Sequence, residues 1–464
     1  MADAVEHHDI IVLGAGLSGI NTAHVLNESL PHRSFTILEA RPVLGGTWSF
    51  FRYPGFRCDS FMTSFGLKWH PWKHRHKMAS AAEIVEYLEE AVDAAGFREK
   101  IQFRHKMVGW EWRTEEQQWR LDVDVDGTRK VMTANFVVSC LGYYAYDKAF
   151  PVVIPGLGDF KGQVVHPQWW PEDLDYLNKK MIVIGSGATT ITIVPTLAKQ
   201  AGMVTMLQRS PSFVVSRDSS SPVDAFLHGF LPLAWVHWFA WWKDTLREVM
   251  VTQFLLAYPD VGRNMINKMT KEAVPADLDA LHRDNVELVT DVIETVTEDG
   301  ILLKSGRKLA ADIIVTATGL YFQIFGGVTP CVDGQPIDVG SHYAWRGCML
   351  DSLPNVGFII GYVTQSWTPG ADVMAKTVVR VLKRMEKTGS TSVMPVMENK
   401  EGQPKKLLIP AVSSYFVKAA DRIPKVTGKG VWYSRLFATD MWAWLFGNVT
   451  TGLLYGRPRS KKDG

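Results

Sequence analysis

An apolar run, Ile10 to Leu13, leads straight into glycines; apolar positions then recur at helical spacing, at Ile20, Ala23, Leu26 and Leu30, before a second apolar run ends on Glu39. This pattern predicts a strand over 9–13, a helix over 18–30 and a strand over 35–39, a β-turn-α-β unit with glycines at the turn. It returns at 181–184, 190–200 and 204–207, so two such units share one chain. A helix-rich insertion is expected over about 222–282. Short strands over 286–289, 292–296, 300–303 and 313–316 follow, and 371–387 has the amphipathic spacing of a helix docking back on the first unit. The expectation is an α/β protein of two Rossmann-like dinucleotide-binding domains, one interrupted by the other. Residues 1–160 begin the first domain, 161–318 form the second with its insertion, and 319–464 complete the first and end in an aromatic-rich region.

The turns carry chemistry. Gly14, Gly16 and Gly19 form G-x-G-x-x-G between a strand and a helix, where missing side chains allow the tight turn and bring a pyrophosphate to backbone N–H groups. Glu39 ends the next strand, where a carboxylate accepts ribose hydroxyls and repels a 2′-phosphate, which suits FAD or NAD. The second loop, Gly185-Ser186-Gly187-Ala188-Thr189-Thr190, has Thr190 in place of the third glycine, which should hold helix and strand further apart. Its following strand ends in Gln208, Arg209 and Ser210 with no carboxylate. Arg209 can pair with a 2′-phosphate and Ser210 can donate to it, so NADPH is preferred over NADH; the alternative for Arg209 is a solvated surface side chain. Opposite charge logic at the two sites implies one cofactor held while the other delivers electrons.

Composition narrows the partners. The 464 residues carry 50 basic and 48 acidic side chains, a net charge of +2, so no field for nucleic acid is implied. Four scattered cysteines, Cys58, Cys140, Cys331 and Cys348, contain no C-x-x-C and argue against disulfides, a metal site or a thiol redox centre. Met1 to His8 has no basic stretch and the first apolar run is too short for a secretory signal, so a cytoplasmic location is expected.

Two further stretches name a family. Gly45, Gly46, Trp48, Tyr53, Pro54, Gly55 and Asp59 match G-G-x-W-x-x-x-x-[FY]-P-G-x-x-x-D. Phe160, Gly162, His166, Trp170 and Pro171 match F-x-G-x-x-x-H-x-x-x-W-P. Both signatures resemble those of Baeyer–Villiger monooxygenases, a ketone-oxidising branch of the class B flavoprotein monooxygenases, and the chain resembles the ethionamide-activating members over residues 9 to about 385. The resemblance implies an enzyme in which the first loop holds FAD and the second NADPH. Reduced flavin meets O2 to give a C4a-peroxyflavin, and one oxygen atom enters a small apolar ketone. By motif, Gly14, Gly16, Gly19, Glu39, Thr47, Trp48 and Asp59 would meet FAD, and Ser18, Gly46 and Val108 are further cofactor-binding candidates. Arg57, Asp59, Gly185, Ser186, Gly187, Ala188, Thr189, Thr190, Arg209 and Ser210 would meet NADPH. Asp59 is the catalytic candidate, with an Asx-turn acceptor as the plainer alternative. His166 is expected to be structural, at the joint between domains.

The chain departs from the pattern between 269 and 285, where family members carry a proline- and tyrosine-rich segment with an arginine that stabilises the peroxyflavin. Loss of such a donor costs about 3–4 kcal/mol of barrier, which leaves open a sulfur or nitrogen oxygenase, an uncoupled NADPH oxidase or a catalytically impaired binding protein. Lys271 and Arg283 are the nearby cations. The run 225–242, with Trp235, Trp238, Trp241 and Trp242, is interrupted by His228, Pro232 and His237. It reads as a buried helix or tunnel wall, or as shallow membrane contact, which is allowed but not required. The aromatic stretch 431–446 admits the same two readings.

Overall fold

The computed structural model describes residues 5–211, 230–272, 283–363, 365–409 and 414–456. Strand β1 (Glu6–Leu13), helix α1 (Leu17–Ser29) and strand β2 (Phe35–Glu39) form the first predicted unit, with β1 and β2 parallel. The chain continues through short helices α2 (Thr47–Phe50) and α3 (Met62–Phe65) to α4 (Ala81–Ala95) and strand β3 (Ile101–Phe103), which extends the parallel sheet beyond β2. Helix α4 opens with a capping box, in which the Ser80 side chain accepts from the Glu83 N–H and the Glu83 carboxylate accepts from the Ser80 N–H.

Strands β4 (His105–Arg113), β5 (Gln118–Val125) and β6 (Thr128–Ser139) form an antiparallel meander. Strand β6 is long enough to serve twice. Residues 128–134 pair antiparallel with β5, while 132–139 pair parallel with β1, so meander and nucleotide sheet are continuous. Strand β7 (Tyr144–Ala149) leaves this sheet toward the second unit.

That unit holds β8 (Gln163–Val165), β9 (Lys180–Ile184), helix α5 (Ala188–Leu197), β10 (Met203–Gln208) and, after the insertion, β11 (Val286–Thr290). The insertion contains α6 (Leu233–Ala257) and α7 (Pro259–Glu272). A three-stranded antiparallel layer of β12 (Ile293–Thr297), β13 (Gly300–Leu303) and β14 (Lys308–Ala310) follows, and β15 (Ile313–Thr316) closes the parallel sheet in the order β11-β10-β9-β15-β8. Strand β16 (Leu320–Phe322) pairs with β7, and two later segments return to the first sheet: β17 (Cys331–Val332) beside β4 and Val356–Phe358 beside β6. Helix α8 (Trp367–Thr388) packs on the first unit, where the Trp367 indole donates to Ser18 Oγ at 2.8 Å. Helices α9 (Ser414–Lys418) and α10 (Phe437–Phe446) follow.

The two units are fastened by the first signature segment. Phe51 and Tyr53, from the first unit, are buried in the core of the second beside Trp170, Ile193 and Val194. These large apolar side chains are therefore the seam between two nucleotide folds.

Candidate active site

Both glycine turns are built by close backbone approach. Gly14 has φ +97°, and a Cβ on it would lie 2.9 Å from the Cys140 carbonyl oxygen. A Cβ on Gly19 would overlap the Gly14 carbonyl oxygen, so α1 packs on β1 as only glycine permits. Gly16 differs: its nearest neighbour would be 3.6 Å from an added Cβ, and its backbone faces a cleft. In the second turn Gly185 (φ +141°) lies under the Ala317 carbonyl, while nothing comes within 4 Å of a Cβ on Gly187. Thr190 is buried against Gly185, so α5 accommodates a side chain where α1 accommodates none.

One cleft of about 2620 Å³ joins the two turns. Its wall includes Gly14, Gly16, Ser18, Glu39, Gly46, Thr47 and Trp48 from the first unit and Ser186, Gly187, Ala188 and Thr189 from the second, with Arg57 and Asp59 also on it. Drug-sized ligands occupy pockets of about 300–1,000 Å³, so this volume admits more than one.

Glu39 is buried on this wall. Its carboxylate accepts from the Ala15 N–H at 2.8 Å and the Arg41 N–H at 3.0 Å. Burial pushes its pKa up, and those two backbone bonds oppose the shift. Each oxygen keeps further acceptor capacity, which is what a ribose diol requires. Bare glycine backbone at Gly16 and Gly187, a helix N-terminus beside each and a carboxylate at the first strand end fit a pair of dinucleotides.

The first signature segment spans the gap between the turns. Trp48 stacks on Phe56 with centroids 5.1 Å apart and meets Phe65 edge-on. The Tyr53 hydroxyl is hydrogen-bonded to Thr189; burial pushes its pKa up to about 12, the Thr189 bond opposes this and the negative charge of Asp59 adds to it. Arg57 and Asp59 are exposed toward the cleft.

Other predicted residues stand off the wall. Arg209 and Ser210 are exposed at the end of β10, where Ser186 Oγ donates to the Ser210 carbonyl at 3.3 Å, so the strand end adjoins the second turn. Gly185 and Thr190 lie beneath the loop. Val108 is the extra residue of a bulge between Met107 and Gly109 in β4; His105, Lys106 and Met107 line the cleft in its stead. His166 is also off the wall. Its Nδ1 accepts from the Gln168 N–H, and burial lowers its pKa below the ordinary imidazole value. Gln168 clamps this joint to β7 by donating to the Ala145 and Lys148 carbonyls.

Residue-by-residue reading missed several wall positions. Arg41, two residues beyond Glu39, donates to the Gly46 carbonyl and to Ser49, tying the first strand end to the signature segment. Tyr146 stacks on Phe50 at 3.9 Å; Tyr143, Tyr144, Gln323 and Trp367 complete the side nearest α8. The start of α4, residues 80–83, also reaches the wall, and the Ser80-x-x-Glu83 capping signature was the available signal for it.

Around the sequence departure, 273–282 and the Lys271 side chain lie outside the described residues. Arg283 lines the cleft at the C-terminal end of α5, donating to the Ala198 carbonyl at 3.4 Å.

The model of the flavin-binding monooxygenase-like family matches residues 72–429, and that of an NAD(P)-binding Rossmann-like domain matches 12–78. The chain is 36% identical over 454 residues to the FAD-containing monooxygenase EthA of Mycobacterium tuberculosis, covering 92% of this chain and 93% of that protein. It is 38% identical over 455 residues to the probable FAD-binding monooxygenase AlmA of Acinetobacter baylyi, covering 92% and 91%. Among solved structures, an oxidised steroid monooxygenase bound to NADP shares the fold with a TM-score of 0.76 at 19% identity, over 97% of this chain and all of that one. The polycyclic ketone monooxygenase of Thermothelomyces thermophila does so with a TM-score of 0.75 at 19% identity, over 99% and 91%.

Proposed function

The chain belongs to the flavin-binding monooxygenase-like family, and from that premise we propose that it uses FAD and NADPH to place one oxygen atom of O2 into a small apolar ketone. The observation that carries this reading is the single cleft on which both glycine turns open. The residues at one turn would hold a flavin carrier and those at the other its nicotinamide donor, within one cleft.

Bound FAD, once reduced, supplies the electrons that activate dioxygen. The chain supplies position and exclusion. The N-terminal N–H groups of α1 would hold the pyrophosphate of FAD, and Glu39 would accept from its ribose hydroxyls. Gly187 and the start of α5 would hold the pyrophosphate of NADPH, and Arg209 and Ser210, exposed at the end of β10, would meet its 2′-phosphate. Asp59 holds a carboxylate on the wall between the two turns, where it orients a cationic group. Trp48, Phe56 and Phe65 keep water from that part of the cleft.

A second reading, oxidation of sulfur or nitrogen or uncoupled NADPH oxidation, is favoured by one observation. Arg283 is the sole arginine between 269 and 285, and it donates to a backbone carbonyl at the far end of α5 from the glycine turn. The test is a coupled assay of NADPH consumption, peroxide release and oxygenated product over ketones and sulfides. Ester or lactone formed in step with NADPH supports the first reading, and sulfoxide without ester supports the second. Peroxide matching NADPH with no product means an uncoupled oxidase. A flavin that NADPH fails to bleach under anaerobic conditions leaves a binding role and overturns both.

A further inference from the structure

We propose that α6 and α10 form a lipid-facing surface that seats this protein on an anionic bilayer, with the helices lying in the interface plane. Helix α6 is largely apolar, with Val236, Ala240 and Trp241 buried against the protein and a second set of apolar side chains turned away from it. Its two carboxylates also face the protein: Asp244 accepts from Thr63 Oγ1 and pairs with Lys77 at 3.4 Å, and Glu248 accepts from the Ser366 N–H and hydroxyl and from Ser64. Those bonds fix the rotation of the helix. Turning it to bury the exposed tryptophans would strand Asp244, now 3% exposed, without its partners.

An apolar stripe is therefore left outward over 235–254. Trp235 is 69% exposed, Trp238 60% and Met250 65%, with Phe239, Leu246 and Phe254 between and beyond them. Helix α10 packs beside α6 through Trp241 and Phe437, whose rings are 6.2 Å apart. It is anchored in the same manner. Asp440 turns inward to Arg435 and the Tyr362 hydroxyl, and Arg346 and Arg380 donate to the carbonyls at its C-terminal end. Its Trp442 and Phe446 are each 67% exposed.

Tryptophan on a helix face with basic residues at its border is the chemistry of a membrane interface. The carboxylates of α6 and α10 are all engaged inward, whereas Arg247 is exposed beside the stripe and offers a cation to anionic headgroups, Asp260 standing beyond the C-terminal end of α6. A stable second copy needs a complementary patch burying about 1,200–2,000 Å²; a convex stripe along a 25-residue helix, roughly 37 Å long, fits a deformable lipid surface better. Among the described residues no helix is long and apolar enough to cross a membrane, so the contact proposed is peripheral. It does not depend on which substrate the enzyme oxidises.

The test is co-sedimentation of the flavin-loaded full-length protein with vesicles of phosphatidylcholine, with and without phosphatidylglycerol. The wild type should pellet with the anionic vesicles, and Arg247→Glu should erase the preference for them. A triple variant, Trp235→Ser with Trp238→Ser and Trp442→Ser, should lower partitioning at least about tenfold while retaining flavin. Should that variant not fold, quenching of wild-type tryptophan fluorescence by bromine-labelled lipid decides the same question. A wild type that stays in the supernatant and is unquenched overturns the proposal. So does a wild-type dimer that the triple variant converts to monomer, since a second copy would then cover the stripe.

Discussion

Oγ1 of Thr196, on α5, occupies the space that a Cβ on Gly55 would need, and Gly55 itself has φ +78°. A residue of the first signature segment is thus seated on the nucleotide-binding helix of the other unit. Gly55→Ala should push α5 away from that segment and misalign the second turn against the first. The expected outcome is a protein that keeps its FAD but is reduced by NADPH at least about tenfold more slowly, since small displacements in such sites cost that much or more. Stopped-flow reduction against flavin content checks it, and parallel loss of both would assign Gly55 a purely folding role.

Gly19→Ala addresses the other turn. Its added methyl would overlap the Gly14 carbonyl oxygen, and overpacking of this kind costs about 1–3 kcal/mol. Purified protein should be pale and melt lower than wild type, with added FAD restoring little of either. Normal yellow protein would mean that α1 shifts without penalty.

Arg209→Ala should weaken NADPH and leave NADH nearly unchanged. A charge-assisted bond to a phosphate is worth about 1.5–3 kcal/mol, so the ratio of kcat/KM for NADPH over NADH should fall roughly ten- to a hundredfold. An equal fall for both coenzymes would remove the 2′-phosphate from this strand end.

His237 sets a pH dependence. On the inner side of α6, burial, with His70 adding to it, pushes its pKa down to about 4 from the ordinary 6.5. The unfolded chain therefore takes up a proton first as pH falls, so stability is full above about 6.5 and is lost on the way down to about 4. The full effect is about 3 kcal/mol. His237→Leu should lose less melting temperature than wild type between neutral pH and pH about 5, the difference being roughly 2–4 °C. Identical slopes would show that water reaches the imidazole.

The architecture was largely legible in the chain. The strands at 35–39, 300–303 and 313–316 coincide with the observed ones and the other predicted strands differ by a few end residues, because an apolar run ending on glycine leaves a buried parallel strand few alternatives, whereas the short β3 and β8 carried no such run and were not predicted. Helix α8 begins at Trp367 rather than at 371, since the sequence Trp367-Thr368-Pro369-Gly370 lacks helical periodicity; proline fits a first turn, and packing on the first unit supplies the rest. The meander β4 to β6 and helix α4 escaped the sequence reading, although Ser80 and Glu83 marked the helix start.

What the sequence determined by itself is the type of chemistry: backbone turns shaped by Gly14, Gly16 and Gly19, a carboxylate at one strand end and a guanidinium at the other. These are local properties, set by residues a few positions apart. What only the tertiary structure decided is where the turns open and which way α6 faces. Tyr53 reaches Thr189 across more than a hundred residues, and Asp244 turns α6 inward by bonds to Thr63 and Lys77. Such contacts depend on how separate units pack, and periodicity reports a helix's stripe without saying which side meets the protein.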